Sequence, residues 1–340
     1  MNGYERIQAA LKGEPTDKIP VMLHNFMMAA REENISMADF RDNPALMAEA
    51  FIRSVEKYEF DGILVDLDTV TLAGAVGVPV DFPPNEPARS AKGNLARLED
   101  IRKAAKINIE NYRYVQNWLE ATRQLKDHFK DTVFVRGNCD QAPFSLASMM
   151  RGSQEWMLDL VMGEPELVEE VLEYCTDITC QFIRLMAQTG CDMVSSGDSP
   201  AGPEMVSPEM YEMFALPYEK RVVQEARKTQ LPYGLHICGN TDTILELMLQ
   251  TGAEAFELDY KTDVQKAFDV FHDKACFIGN IDPSGVLALG TPERVEQKTK
   301  ELLDIFTQTK RFILNAGCAI PSQTPAENLK RMIETARKHK

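Results

Sequence analysis

The stretch ACFIGNIDPSGVLALGTPERVEQKTKELLDIFTQTKRFILNAGC, residues 275–318, contains two apolar runs separated by a long helical pattern. The runs ACFIGNID and RFILNAGC are short, apolar and partly β-branched, which is typical of buried strands. Between them, TPERVEQKTKELLDIFTQT begins with Thr291 and Pro292, where the hydroxyl can cap a helix and the proline fits its first turn. The stretch therefore predicts a strand-helix-strand unit. A second helical pattern, SPEMYEMFALPYEKRVVQEARKT at 207–229, begins in the same way with Ser-Pro.

The same alternation recurs along the whole chain. Six further apolar runs precede this stretch: IPVMLHN near residue 20, DGILVDLD near 62, DTVFVRGN near 133, CDMVSSGD near 192, YGLHICGN near 234 and EAFELDY near 255. Eight such units favour a (β/α)8 TIM barrel, and we take residues 1–340 as one barrel domain because such barrels commonly reach this size. A doubly wound sheet is the alternative, but no G-x-G-x-x-G follows the first strand. The proline-rich segment GVPVDFPPNEPARSAKGN predicts a surface loop near the barrel mouth.

The chain is acidic, with 52 acidic against 37 basic residues and a formal net charge of -15. Because phosphates are held by clustered Lys and Arg, we expect no nucleic-acid partner and no anionic membrane surface. The first residues lack a basic stretch followed by an apolar one, and no apolar run approaches the roughly 18 residues of a membrane span. These features favour a cytoplasmic protein. The seven cysteines are scattered and odd in number, so we expect reduced thiols.

His236 and Cys238 lie two residues apart at the end of the fifth predicted strand, so both side chains point to the same side. An imidazole nitrogen and a thiolate sulfur can then meet on one zinc ion. Cys318, just past the last strand, is the candidate third ligand because barrel closure can bring it over the end of the fifth strand. Three ligands leave a fourth position for water, a substrate, or a weakly held carboxylate, Asp259 or Glu257. Such a centre can hold a substrate thiol as thiolate, and alkyl transfer to sulfur is its natural use.

Polar side chains also stand at the ends of the other predicted strands, where barrel enzymes carry their reactive groups. Asp198 in SSGDSPAG, after the fourth strand, and His24, after the first, are candidate catalytic residues for orienting or protonating a substrate. Helix capping or packing explains each of them equally well.

Seven segments spread over essentially the whole chain resemble the uroporphyrinogen decarboxylase superfamily: ERIQAALKGEPTDKIPV, GILVDLDTVTLAGAVGVPVDFP, GNCDQAPFSLASMMRG, GDSPAGPEMVSPEMYEMFALPYEKRV, LHICGNTDTILELMLQTGAEAFELDYKTD, FIGNIDPSGVLALGTPERV and NAGCAIPSQTPAENLKRMI. The H-x-C-G-N and G-C-x-I-P-x-x-T-P segments are similar to those of its zinc-dependent, corrinoid-linked branch, the methylcobamide:coenzyme M methyltransferases and their relatives in demethylation systems. The resemblance implies a barrel, zinc held by His236, Cys238 and Cys318, and a methylated corrinoid carried by a corrinoid-binding partner protein. It also implies a small methyl donor or acceptor, such as a thiol like coenzyme M, a methyl ether or a methylamine-derived group.

The chain departs from the decarboxylases in the segment with which those enzymes bind the carboxylates of their substrate. Decarboxylases carry P-V-W-x-M-R-Q-A-G-R after the first strand, whereas this chain has PVMLHNFMMAAR, so Asn25 and Ala29 stand at the two arginine positions. Asp68 matches the decarboxylase aspartate by its spacing to Gly77 and is a third candidate catalytic residue. Without the arginines an octacarboxylate would meet an acidic pocket, so we expect a zinc methyltransferase. The alternatives are a decarboxylase of a tetrapyrrole or another small acid, and a non-catalytic zinc- or corrinoid-binding accessory protein.

Overall fold

The computed structural model describes residues 1–339, which contain a barrel of eight parallel strands. The strands are β1 Met22–Leu23, β2 Gly62–Val65, β3 Phe134–Gln141, β4 Met193–Gly197, β5 Tyr233–Ile237, β6 Ala255–Leu258, β7 Cys276–Ile281 and β8 Phe312–Ala316. They pair in chain order, and a parallel bridge between Val21 and Leu314 joins the last strand to the first. The predicted (β/α)8 barrel is confirmed, and each of the eight predicted strands is found where the apolar runs placed it.

The connecting segments are mostly helical. Within residues 1–339 the α-helices are α1 Gly3–Lys12, α2 Phe26–Glu32, α3 Met37–Asp42, α4 Pro44–Tyr58, α5 Thr71–Ala75, α6 Arg113–Phe129, α7 Pro143–Arg151, α8 Ser153–Met162, α9 Pro165–Ala187, α10 Pro208–Phe214, α11 Leu216–Lys228, α12 Leu245–Leu249, α13 Val264–Phe271, α14 Pro292–Phe306 and α15 Ala326–Lys338. Short 3₁₀ helices span Leu98–Lys103, Ile109–Asn111 and Ser199–Ala201, and a π-helical turn spans Pro283–Ala288. Over this described range, no helix combines the length and apolar character needed to cross a membrane.

In two of the predicted helical connections, single residues explain where a helix begins or breaks. In α14, Thr291 accepts a hydrogen bond from the backbone N–H of Arg294 at 3.3 Å, as the Thr-Pro start predicts. The segment 207–229 forms two helices rather than one, with a break at Ala215 between α10 and α11. Pro217 explains the break because it has no N–H to continue the hydrogen-bond ladder. The proline-rich loop between β2 and β3 contains no helix from residue 77 to 94.

The N-terminal end of the barrel is closed by apolar packing. Helix α1 lies across this end, and its Ile7 and Ala10 pack against one cluster of strand residues: Met22, Phe134, Met193, Ala255, Cys276, Ile278 and Ile313. Most other apolar side chains fill the layer between the strands and the outer helices. Because the lower barrel is filled, a site for a small molecule can form only towards the C-terminal ends of the strands.

Candidate metal centre and substrate cavity

Three metal-ligating side chains converge at the C-terminal end of the barrel. His236 lies in β5, Cys238 follows that strand directly, and Cys318 follows β8. The His236 Nε2 atom lies 2.9 Å from the Cys238 sulfur, and the two sulfurs lie 3.6 Å apart. Over residues 1–339, this is the one group of three His, Cys, Asp or Glu side chains whose ligand atoms all lie within 4.8 Å of one another. The structure thus brings together the three residues that the sequence predicts as ligands.

The donor set fits zinc. Two thiolates bound to one tetrahedral zinc at about 2.3 Å lie ~3.8 Å apart, close to the 3.6 Å between Cys238 and Cys318. All seven cysteines are free thiols, and these two are partly exposed whereas the other five are buried. Partial exposure at a cavity wall is what separates a ligand thiol from a cysteine that only fills the core.

The surroundings of the ligands orient His236 and favour the thiolate form of Cys238. The His236 Nδ1–H donates to the backbone carbonyl of Glu257 at 3.0 Å, which directs Nε2 towards Cys238. A hydrogen bond with Cys318 and the neighbouring imidazole of His236, acting against burial, lower the pKa of Cys238 to about 3. Cys238 is therefore a thiolate at neutral pH, which is the form that binds a metal ion.

The two carboxylates considered as a fourth ligand lie outside this group. Both oxygens of Asp259 accept backbone N–H groups, from Gly239 at 2.9 Å and Lys261 at 3.1 Å, so this side chain fixes the loops beside the ligands. Glu257 pairs with Arg136 through one carboxylate oxygen, and its other oxygen lies 3.8 Å from His236 Nδ1. Asp259 therefore lies outside the group of three, with both oxygens accepting hydrogen bonds, and its role as a fourth ligand stays a prediction.

The ligands form one wall of a cavity of about 250 Å³. Its lining also includes His24 and Asp68, two of the three residues that the sequence proposes for catalysis. The loop between β2 and β3 contributes Pro87 to the lining, as expected for a loop near the mouth. A second, outer chamber of about 470 Å³ shares Met27 and Pro87 with the first. The cavity is thus a small chamber that combines the candidate metal ligands with acid-base groups.

A buried charge network lies beside the ligands. His24 Nε2 is 2.5 Å from Asp66 Oδ2, and its Nδ1 is 3.6 Å from Glu257 Oε1. Burial alone would lower the pKa of His24, but Asp66 and Glu257 outweigh it and raise the pKa to about 9. Burial acts to raise the pKa of Glu257, but Arg136 and the two imidazoles hold it below its ordinary value. His24 is therefore an imidazolium, and Arg136 and Glu257 form a buried ion pair.

Arg136 is a residue of the cavity lining that the sequence analysis missed. It lies inside β3, is almost fully buried, and donates from Nε to the Ser195 hydroxyl at 2.8 Å. The signal was its position in the apolar run DTVFVRGN, since a charge within a buried strand needs a partner. The identity of that partner, Glu257 on β6, depends on the closed barrel.

Asp68 and Asp140 form a second pair of carboxyl groups in the lining. Asp68 accepts the backbone N–H groups of Val70 and Thr71 at 2.9 and 2.8 Å, and burial raises its pKa to about 6. Asp140 accepts the N–H of Leu72 at 2.6 Å, and burial together with Asp68 raises its pKa well above the ordinary value. Like charges in one buried site cannot both ionise freely, so these two groups titrate as a pair.

Asp198 lies apart from the other predicted site residues. It is fully buried and outside the cavity lining, and its Oδ1 accepts hydrogen bonds from the Ser145 backbone at 2.7 Å and hydroxyl at 2.6 Å. Burial raises the pKa of Asp198 to about 6. These contacts tie the loop after β4 to the start of α7. A direct role with substrate remains a prediction, and the structure supports only the capping alternative.

Comparisons of sequence and of structure with known proteins agree with one another. A sequence model of the uroporphyrinogen decarboxylase (URO-D) family matches residues 2–339. Methylcobamide:CoM methyltransferases MtbA of Methanosarcina acetivorans and Methanosarcina mazei are each 30% identical, over 99% of this chain and 98% of theirs. A uroporphyrinogen decarboxylase of Trichodesmium erythraeum is 26% identical, over 96% of this chain and 94% of its own. A solved methyltransferase from Methanosarcina mazei has the same fold, with a TM-score of 0.90 at 23% identity, covering 99% of this chain and 98% of its own.

Proposed function

This chain belongs to the uroporphyrinogen decarboxylase family and is a methyltransferase, and we propose that it is zinc-dependent and exchanges the methyl group between a corrinoid and a small substrate. The observation that carries the proposal is the ligand group: one imidazole and two thiols from distant strands meet at the wall of a buried cavity. Three protein ligands and an open position are typical of catalytic zinc sites, whereas structural sites use four.

Decarboxylation of a tetrapyrrole is less well supported. Asn25 donates its amide to the Ser54 hydroxyl at 2.8 Å, and Ala29 is buried in α2. Neither position offers a guanidinium to a substrate carboxylate, which is the group that best binds carboxylates in pairs of hydrogen bonds. A substrate with many carboxylates therefore finds no arginine at these two positions.

The chain's own residues prepare the site for transfer to sulfur. When bound, a zinc ion with two thiolate ligands acts as a Lewis acid that keeps a thiol in its thiolate form near neutral pH. Cys238 supplies a thiolate, and the Glu257 carbonyl orients His236 so that its Nε2 is available as a ligand. The cavity holds a small molecule beside these ligands and partly shields it from solvent, which strengthens charge interactions within it.

The corrinoid approaches from the outer chamber in this proposal, carried by a corrinoid-binding protein. In-line displacement needs the nucleophile, the methyl carbon and the leaving group in a row. The outer chamber adjoins the cavity at Met27 and Pro87 and gives such a line of approach. Transfer to a thiol forms a sulfur-carbon bond and breaks the cobalt-carbon bond, whose electron pair stays on cobalt. The thiol proton leaves to solvent.

Cobalt absorption tests the proposal directly. The zinc-loaded protein is mixed with methylcobalamin and thiols, or with cob(I)alamin and methyl ethers, and the cobalt spectrum is followed. We expect conversion with at least one substrate, its loss in Cys238→Ser, and its retention in the control Asp177→Asn, a change at a side chain that is 82% exposed. An unchanged spectrum with every thiol, ether and amine, even after addition of a cognate corrinoid protein, would show that the proposal is wrong.

A further inference from the structure

The cavity wall formed by the ends of β2 and β3 is rich in carboxyl groups. Asp66 and Asp68 follow β2, and Asp140 lies near the end of β3 together with the amides of Asn138 and Gln141. All three carboxyl groups are buried. Which substrate charge the cavity favours depends on whether cations in the cavity neutralise these groups.

The cations of the lining are already paired. Apart from the candidate ligand His236, the cationic side chains that line the cavity within residues 1–339 are His24 and Arg136. His24 contacts Asp66 at 2.5 Å and lies 3.6 Å from Glu257, and Arg136 pairs with Glu257. These two cations therefore neutralise Asp66 and Glu257, and a substrate anion finds no free cation among the described lining residues.

Asp68 and Asp140 have only neutral hydrogen-bond donors. Asp68 accepts from the backbone of Val70 and from Thr71, whose hydroxyl is 3.1 Å away. Asp140 accepts from the Leu72 backbone and from its neighbouring glutamine side chain at 3.0 Å. Neither carboxyl group has a salt-bridge partner among the described residues. The negative charge that this pair carries when one of its groups ionises is therefore not compensated by any cation of the described lining.

A second feature of the lining also points to a polar ligand. The Nδ1 of His24 and the Oε1 of Glu257 are buried and face each other at 3.6 Å, just beyond hydrogen-bond length, and both residues line the cavity. Buried polar atoms are nearly always satisfied, so a substrate hydroxyl beside this pair could accept from Nδ1 and donate to Oε1. Arg31 lines only the outer chamber, with Glu86, and donates to the Ser322 carbonyl at 3.1 Å.

We propose that the small substrate of this enzyme carries an amine or hydroxyl group and no anionic group, so that it is an amino- or hydroxyalkyl thiol or methyl donor rather than a sulfonate such as coenzyme M. The inference rests on the proposed methyl transfer and on the paired state of the cavity cations. A substrate ammonium is attracted by Asp68 and Asp140, and a hydroxyl can bond to them. A sulfonate in the same place is repelled when the pair ionises, because no free cation of the described lining offsets that charge.

Binding of three methyl thioethers of matched length tests the inference without any cobalt chemistry. The probes are 2-(methylthio)ethylamine, 2-(methylthio)ethanol and 2-(methylthio)ethanesulfonate, titrated into the zinc-loaded protein by calorimetry. We expect the amine and the alcohol to bind at least about tenfold more tightly than the sulfonate. Equal or tighter binding of the sulfonate would overturn the inference.

Two isosteric variants test which residues set this preference. Asn at position 68 or 140 can still accept the backbone N–H groups, so Asp68→Asn and Asp140→Asn should fold. We expect each to reduce the preference for the amine over the sulfonate by several-fold, and Asp177→Asn, which removes one exposed charge, to leave it unchanged. An unchanged preference in both cavity variants would contradict the role of these carboxyl groups.

The same series separates this inference from the proposed reaction. If the thioethers bind in the expected order but no thiol is methylated by methylcobalamin or by a methylated corrinoid protein, the methyltransferase proposal fails and the cavity preference stands. If methyl transfer proceeds but 2-mercaptoethanesulfonate has a higher kcat/KM than 2-mercaptoethanol and cysteamine, the reaction stands and the substrate class is wrong.

Discussion

Breaking the buried Arg136-Glu257 pair should destabilise the barrel strongly. The side chains of Arg136 and Glu257 are 2% and 1% exposed, so water cannot replace a lost partner. In Arg136→Met the apolar volume is roughly kept, but the Glu257 carboxylate keeps only the more distant imidazoles of His24 and His236, at 3.6 and 3.8 Å. Breaking a buried pair by removing one partner costs about 3–5 kcal/mol of unfolding free energy.

This loss is large enough to measure as a shift in melting temperature. For a chain of 340 residues the unfolding entropy is about 0.7 kcal/mol per kelvin, so the expected decrease in Tm is about 4–7 °C. Glu257→Gln should cost a similar amount, because it leaves Arg136 uncompensated. The zinc content of the folded variants, measured in parallel, should be largely retained, because the Glu257 backbone carbonyl that orients His236 is still present.

The double variant Arg136→Met/Glu257→Gln distinguishes an ion pair from two independent packing positions. Removing both partners leaves no uncompensated charge between them, so the double variant should be more stable than the sum of the single losses predicts, by at least about 2 kcal/mol. Denaturant unfolding of the four proteins of this cycle gives the coupling free energy. Additive losses, with no coupling, would refute the reasoning.

Three further predictions follow from the same geometry. The pKa of His24 is about 9 in the folded protein and about 6.5 in the unfolded chain. His24 should therefore add about 3 kcal/mol to the free energy of unfolding below pH 6.5, and this contribution should be lost as the pH rises through 9. Denaturant unfolding of the wild type and of His24→Gln across this pH range should show the difference. Uroporphyrinogen should not be converted to coproporphyrinogen, because Asn25 and Ala29 replace the arginines; turnover like that of an authentic decarboxylase would contradict this. Gly317→Ala should weaken zinc retention without changing a ligand, because the added Cβ would lie 2.5 Å from the Tyr260 backbone nitrogen and displace the Cys318 loop; unchanged zinc affinity would count against the placement of that loop.

The barrel and the ligand group could be predicted from local sequence patterns. Eight apolar runs separated by helical patterns suffice to order the strands, and the i, i+2 spacing of His236 and Cys238 places both on one side of β5. To predict that Cys318 lies beside them, it was enough to assume that the barrel closes, because closure brings the segment after β8 over the end of β5. These inferences depend on strand periodicity and chain order, which the sequence contains.

The roles of single carboxylates could not be predicted in this way. Asp198 and Asp259 both stand at strand ends, but Asp198 accepts hydrogen bonds from the start of α7 and Asp259 from the backbone of Gly239, contacts that no local pattern reveals. Arg136 and Glu257 are far apart in the sequence and meet only inside the closed barrel. The pairing that decides the cavity charge is therefore a property of the tertiary structure.

X-ray absorption at the zinc edge of the purified protein, before and after addition of a thiol substrate, tests the central claim most directly. The account predicts about one zinc per chain with one nitrogen and two sulfur ligands from His236, Cys238 and Cys318, and a further sulfur when the thiol is added. Cys238→Ser and Cys318→Ser should each lose most of the zinc while remaining folded. A protein without zinc, or full zinc retention in both variants, would contradict the account.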